Sequence, residues 1–207
     1  MNATSSFIYT ILEWITRFAY ANLLWIVFTL AGGIIFGLFP ATIALFAVCR
    51  DWARGDTDKP LFASFWQFYK QDFLKSNLLG LFVAAVAVIV AVDILYIQSI
   101  SDEALNWTIV PLFAFMLLFL LFLFYLFPTF VHFDISVWQV IKNSFLIMLV
   151  NPFKSFLILA CLVPLFFILQ AVPAVAFIFG AVIYAFTTMW FSLLAFEPKQ
   201  KSFTEPG

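Results

Sequence analysis

The sequence predicts an all-α polytopic membrane helix bundle, and three observations carry that prediction. Charged residues make up only 10% of the chain and hydrophobic residues 65%, whereas a soluble domain typically carries about 25% charged residues. The charge is missing in long blocks: positions 18–49, 76–92, 104–131 and 155–196 contain no Asp, Glu, Lys, Arg or His. A hydrocarbon core about 30 Å thick takes roughly 20 helical residues to cross. The third sign is aromatic: 30 Phe, 7 Trp and 6 Tyr suit lipid-facing packing and the two interfacial belts.

The first block is too long for one straight crossing and too short for two ordinary ones. Gly32, Gly33, Gly37 and Pro40 sit in its middle, and proline removes a helix hydrogen bond and bends the chain. One crossing over about 18–38, a kink, and a partly interfacial helix from Pro40 to about Trp52 is the expected arrangement; a hairpin is the alternative. The second block continues past Asp93 to reach spanning length, over about 77–100. The third gives a span near 107–131. The last would be about 63 Å long as one helix at 1.5 Å per residue, so it must turn back. Gln170-Ala-Val-Pro173 is the best turn, leaving spans near 153–169 and 174–196. The expectation is one integral membrane domain over 1–207 with about five transmembrane helices.

Two further segments read as interfacial amphipathic helices. In 60–75, Leu61, Phe62, Phe65, Trp66, Tyr69 and Phe73 share one arc of a helical wheel, with Ser64, Gln67, Lys70, Gln71 and Lys75 opposite; Asp58 and Pro60 supply the start signal. The second, 135–150, is capped by Asp134. Such helices lie in the headgroup plane with the apolar face down. Both carry W-Q-x-x-K-x-x-F-L, beginning at Trp66 and again at Trp138. Trp66, Lys70, Trp138 and Lys142 are the candidate interfacial anchors, a Trp ring and a snorkelling Lys in each helix. The recurrence fits either an internal parallel duplication, as in some transporters, or convergence on what any interfacial helix needs.

Orientation follows the Lys and Arg residues. Arg50, Arg54, Lys59, Lys70, Lys75, Lys142, Lys154, Lys199 and Lys201 fall on one side of a five-crossing chain; Arg17 falls on the other with Asp102 and Glu103. The basic side is expected to be cytoplasmic in a bacterial cell membrane, with the C-terminus inside and the N-terminus outside. A hairpin in the first block would bring Arg17 inside too.

Chemistry has few places to reside. A net charge of −1 offers no bulk attraction for nucleic acid. Cys49 and Cys161 lie in or beside apolar runs, and His132 is the sole histidine, so neither a disulfide nor a metal or other cofactor site is expected. Glu13 and Arg17 stand where a signal peptide would need a basic start, and the apolar run behind them is too long for one. Asp93 is the one carboxylate inside an apolar run and so the candidate polar site of a membrane carrier; its place near the end of its span also suits a simple helix-end anchor. His132-Phe-Asp134 has no nucleophile motif beside it, and a helix cap with an interfacial histidine accounts for it. The segment Arg50–Lys59 reads as a solvated mixed-charge linker, or as a docking surface for a partner.

Phe39-Pro-Ala-Thr-Ile-Ala-Leu-Phe-Ala47, Arg54-Gly55 and Phe65-Trp-Gln-Phe-Tyr-Lys-Gln-Asp-Phe73 together resemble the YesL-like family of bacterial multi-pass membrane proteins. His132-Phe-Asp134, Val140-Ile-Lys-Asn-Ser-Phe145 and Asn151-Pro152 extend the resemblance over nearly the whole chain. It carries no activity, cofactor or catalytic residue with it. It implies an accessory role beside carbohydrate uptake, with a carbohydrate ABC transporter or a sensor kinase as partner. The expected function is therefore a non-enzymatic membrane accessory or scaffold protein embedded in the lipid bilayer; the alternative is a small carrier whose polar path includes Asp93.

Overall fold

The computed structural model describes residues 3–99 and 109–196; Asp102, Glu103, Lys199 and Lys201 of the charge argument lie outside them. Eight helices follow in order: α1 (Ala3–Ala31), α2 (Ile35–Ala53), α3 (Leu61–Gln71), α4 (Phe73–Ser99), α5 (Ile109–His132), α6 (Val137–Val150), α7 (Pro152–Ala171) and α8 (Pro173–Phe196). The protein is an all-helical bundle, as expected. Six of these helices, α1, α2, α4, α5, α7 and α8, are long and apolar enough to cross a membrane.

The difference from five lies in the first block, which takes the hairpin alternative. The chain reverses at Gly32–Ile34 rather than at Pro40, which sits inside α2. Gly33 adopts φ 72°, a backbone open to glycine at no steric cost, and Ile34 follows at φ 65°, which is strained for a β-branched residue. Hydrogen bonds hold the turn closed, with Ile34 N–H donating to Thr29 O (2.9 Å) and Gly32 N–H to Phe28 O (3.1 Å). Gly37 passes so near α1 that a Cβ there would lie 2.3 Å from Thr29 O. Down the hairpin the Trp25 indole N–H donates to Thr42 Oγ1 (3.1 Å), and Trp52 stacks on Phe18. Arg17 donates to Thr57 O (2.7 Å). That bond places Arg17 beside the Arg50–Lys75 segment rather than across the membrane from it.

Helix α2 is the centre of the bundle. Ala41, Ile43 to Cys49 and Trp52 are buried, and α1, α3, α4, α5 and α8 all pack on it. A helix apolar on every side is a core helix, and alanine at 41, 44 and 47 lets neighbouring backbones approach. Helix α3 uses its apolar arc on this core: Phe62, Phe65, Trp66 and Tyr69 surround Phe28 of α1, and Phe65 is fully buried. The arc is shared: Phe65 and Tyr69 are buried on protein, while Phe62 and Trp66 stay 53% and 40% exposed. Helix α6 starts on Ser136 rather than Asp134, through a capping box in which Gln139 N–H donates to Ser136 Oγ and Gln139 Oε1 accepts from Ser136 N–H. The two W-Q-x-x-K copies sit on α3 and α6, each a short helix joining a long pair, α2 to α4 and α5 to α7. The first copy finishes on α4; the second stays within α6.

Candidate functional site at the charged end of the bundle

The C-terminal ends of α2 and α5 meet at one end of the bundle, and their charges collect there. A helix C-terminus leaves carbonyls without intrahelical partners, and cations near it are favoured. Arg50 supplies one, its Nη1 donating to Val131 O in the last turn of α5. Its Nε and Nη2 donate to Asp51 Oδ1 at 3.2 and 2.9 Å. Arg54 Nη2 lies 3.3 Å from His132 Nδ1. Lys59 pairs with Asp56 and with Asp51; the hydrogen bond to Asp56, then the Asp51 charge, raise its ammonium above the ordinary lysine value. Lys75 and Asp134 form an exposed pair at 3.5 Å.

Of these groups Arg50, Lys75, Val131, His132 and Asp134 line a pocket of about 240 Å³, which Ala47, Phe68, Gln71, Asp72, Phe130, Phe133 and Ile135 complete. Asp72, the single residue between α3 and α4, is its partly buried carboxylate. Burial pushes the Asp72 carboxyl above the usual carboxylate value; Lys75 opposes that shift, and Asp134 adds to it. Two cations, Arg50 and Lys75, thus face two carboxylates, Asp72 and Asp134, in a compensated cluster with phenyl walls.

The sequence candidates distribute unevenly around this cluster. His132 and Asp134 are part of it, as is Arg50 of the mixed-charge segment. Lys70 of α3 lies 4.6 Å over the Trp66 ring, whereas Trp138 and Lys142 project from α6 as exposed residues. Asp93 is exposed on the flank of α4, away from the cluster, and among the described residues it has no ion-pair partner. Cys49 is buried in α2 and Cys161 exposed on α7, both as free thiols.

Residues 18–94 match the family model described as "Protein of unknown function, DUF624". The chain is also 41% identical over 177 residues to Uncharacterized protein YteU of Bacillus subtilis (strain 168), a match covering 86% of this chain and 79% of YteU. The chain belongs to the DUF624 family. Two other B. subtilis relatives agree: Uncharacterized protein YesL, 37% identical over 71% of this chain and 69% of its own, and Uncharacterized protein YesV, 29% identical over 94% of both. No solved structure matches this DUF624 protein.

Sequence reasoning missed Asn22 of this DUF624 chain. It is buried in α1, its Nδ2 donates to Phe177 O (2.8 Å), and its Oδ1 accepts from Ala181 N–H (3.1 Å) and Val182 N–H (3.2 Å) of α8. In a regular helix the Ala181 N–H faces Phe177 O, so the one amide engages both groups of a single step of the α8 ladder. A single Asn in an apolar run must find a partner inside the bundle; that rule was the available signal.

Proposed function

We propose that this protein is a non-enzymatic integral membrane accessory or scaffold protein whose charged end docks a partner at the cytoplasmic face. One observation supports this reading above the others: the interior of the bundle is filled. Phe46 stacks on Phe127 at 5.3 Å and meets Tyr184 edge-on, and Tyr125, Leu126, Val182 and Met189 are fully buried. Several hydroxyls along the helices bond their own backbone, although Thr29 Oγ1 and Thr129 Oγ1 are buried with no partner among the described residues. Thr42 donates to Leu38 O, Ser144 to Val140 O and Thr188 to Tyr184 O, the back-bonding typical of hydroxyls inside helices. A carrier needs polar groups converging at mid-depth from broken helices, and Asp93 faces outward instead. By the positive-inside rule the cluster end, with Arg17 now beside it, belongs to the cytoplasm of a bacterial cell membrane. The resemblance to the YesL-like family supplies the partner class, a carbohydrate ABC transporter or a sensor kinase.

Affinity purification in mild detergent, followed by partner identification, tests the docking role. The expected result is stoichiometric recovery of one such membrane complex, lost when Arg54 and Lys59 are both replaced by glutamate. The purified protein in liposomes should take up no more sugar than empty vesicles. Saturable uptake by the wild type, abolished by Asp93→Asn, would replace this reading with the carrier.

A further inference from the structure

We infer that the pocket between Arg50, Asp72, Lys75 and Asp134 seats the headgroup of a phosphatidylethanolamine-type lipid, a phosphodiester joined to a primary ammonium. Position is the first argument. The pocket opens where the apolar spans α2, α4 and α5 give way to charge, the depth at which headgroups lie. Leu74 and Leu78 flank Lys75 on α4 and are 82% and 58% exposed, a surface for acyl chains running away from the site. Phe68, Phe130 and Phe133 form its phenyl walls.

Charge separation is the second argument. Arg50 spends three N–H groups, two on Asp51 and one on Val131 O, so two of the five on a guanidinium remain for a phosphate. The Lys75 pair with Asp134 is long and exposed, the kind of surface contact that gives way at little cost. Within reach of both cations' fields, Asp72 is a half-buried carboxylate with no ion-pair contact among the described residues, and an ammonium donating hydrogen bonds would relieve its desolvation. With Arg50 already paired to Asp51, and Lys75 standing against Asp72 and Asp134, the site carries no net positive charge and favours a zwitterion over an anionic headgroup. A quaternary ammonium has no N–H to give Asp72, which separates ethanolamine from choline.

The full chain is placed in nanodiscs of phosphatidylcholine alone, then with added phosphatidylethanolamine or phosphatidylglycerol. Melting temperature and lipid adducts by native mass spectrometry are read in each. The ethanolamine lipid should raise the melting temperature most and dominate the adducts. Asp72→Asn and Lys75→Gln should each lower the ethanolamine-to-glycerol adduct ratio by about tenfold, as loss of one charge-assisted hydrogen bond requires, while Asp72→Asn melts no lower than wild type in phosphatidylcholine. Equal adducts from all three lipids, a larger effect of phosphatidylglycerol, or a preference that survives both substitutions overturns the site. Free glycerophosphoethanolamine added to phosphatidylcholine discs should do nothing; a shift from it would mean a soluble ligand and overturn the lipid assignment.

Discussion

Replacing Asn22 with leucine keeps nearly the same side-chain shape while removing all three hydrogen bonds that join α1 to α8. Side-chain hydrogen bonds between membrane helices average about 0.6 kcal/mol and reach about 1.7 kcal/mol. Three would total about 2–5 kcal/mol, but the α8 groups that Asn22 engages can be satisfied within the helix's own ladder, which recovers part of this. The expected net loss is about 1–3 kcal/mol, the scale of one buried polar group left unsatisfied. Titration of mixed micelles with a denaturing detergent, followed by circular dichroism, measures it. Asn77→Leu is the control, because Asn77 Nδ2 bonds Phe73 O within its own helix (2.8 Å) and should cost under about 0.5 kcal/mol. If Asn22→Leu matches the wild type, or costs no more than Asn77→Leu, α1 is not spliced into α8.

Three further outcomes follow from particular contacts. Gly37→Ala drives a Cβ to within 2.3 Å of Thr29 O and should cost about 3 kcal/mol or more by forcing the hairpin apart, whereas Gly180→Ala meets nothing within 4 Å and should gain up to about 1 kcal/mol; thermal melts of the two compare them directly. Because burial raises the Asp72 pKa, the folded protein holds that proton more tightly than the unfolded chain, and the ionised form weakens the fold at neutral pH. Asp72→Asn should therefore melt higher than wild type at pH 7 in lipid-free detergent, with the gap closing as pH falls towards the ordinary value of 3.8; a gap that widens in acid would reverse the assigned direction. Tyr125→Phe removes the partner of Ser155 Oγ (3.1 Å), but Ser155 keeps Asn151 O, so the same melt should show a loss of about 0.5–1.5 kcal/mol.

The spans were legible because excluding charge from hydrocarbon leaves a mark along the chain itself. The α7–α8 reversal was legible for a related reason: one helix through 155–196 is far longer than a bilayer is thick. At 18–49 the same logic gave two answers, since that length fits neither one helix nor two and Gly32-Gly33 permits both a bend and a reversal. What decides it is the fit of Gly37 against Thr29 and of Trp25 against Thr42, contacts that exist only once the helices pair. The α3 arc was read correctly as a face, but an apolar face does not say whether lipid or Phe28 will cover it. At the charged end His132 and Asp134 were visible as candidates. The role of Arg50 was not, because the Val131 carbonyl it serves is 81 residues away in sequence.

The central place of α2 has a consequence for how the chain is made. It leaves the ribosome second, yet two of the helices that sheathe it, α5 and α8, emerge much later, α8 last of the eight. Until then one flank of α2 must be held by lipid, by α1 alone or by an insertion chaperone. The α1–α2 turn makes that wait tolerable, because the pair can enter the bilayer as one preassembled unit with its reversal already hydrogen-bonded. A chain stalled before Pro173 would still carry every segment through α7, but not the surface that receives Asn22. Quality-control proteases should therefore distinguish chains in which α8 has docked on α1 and α2 from chains in which it has not.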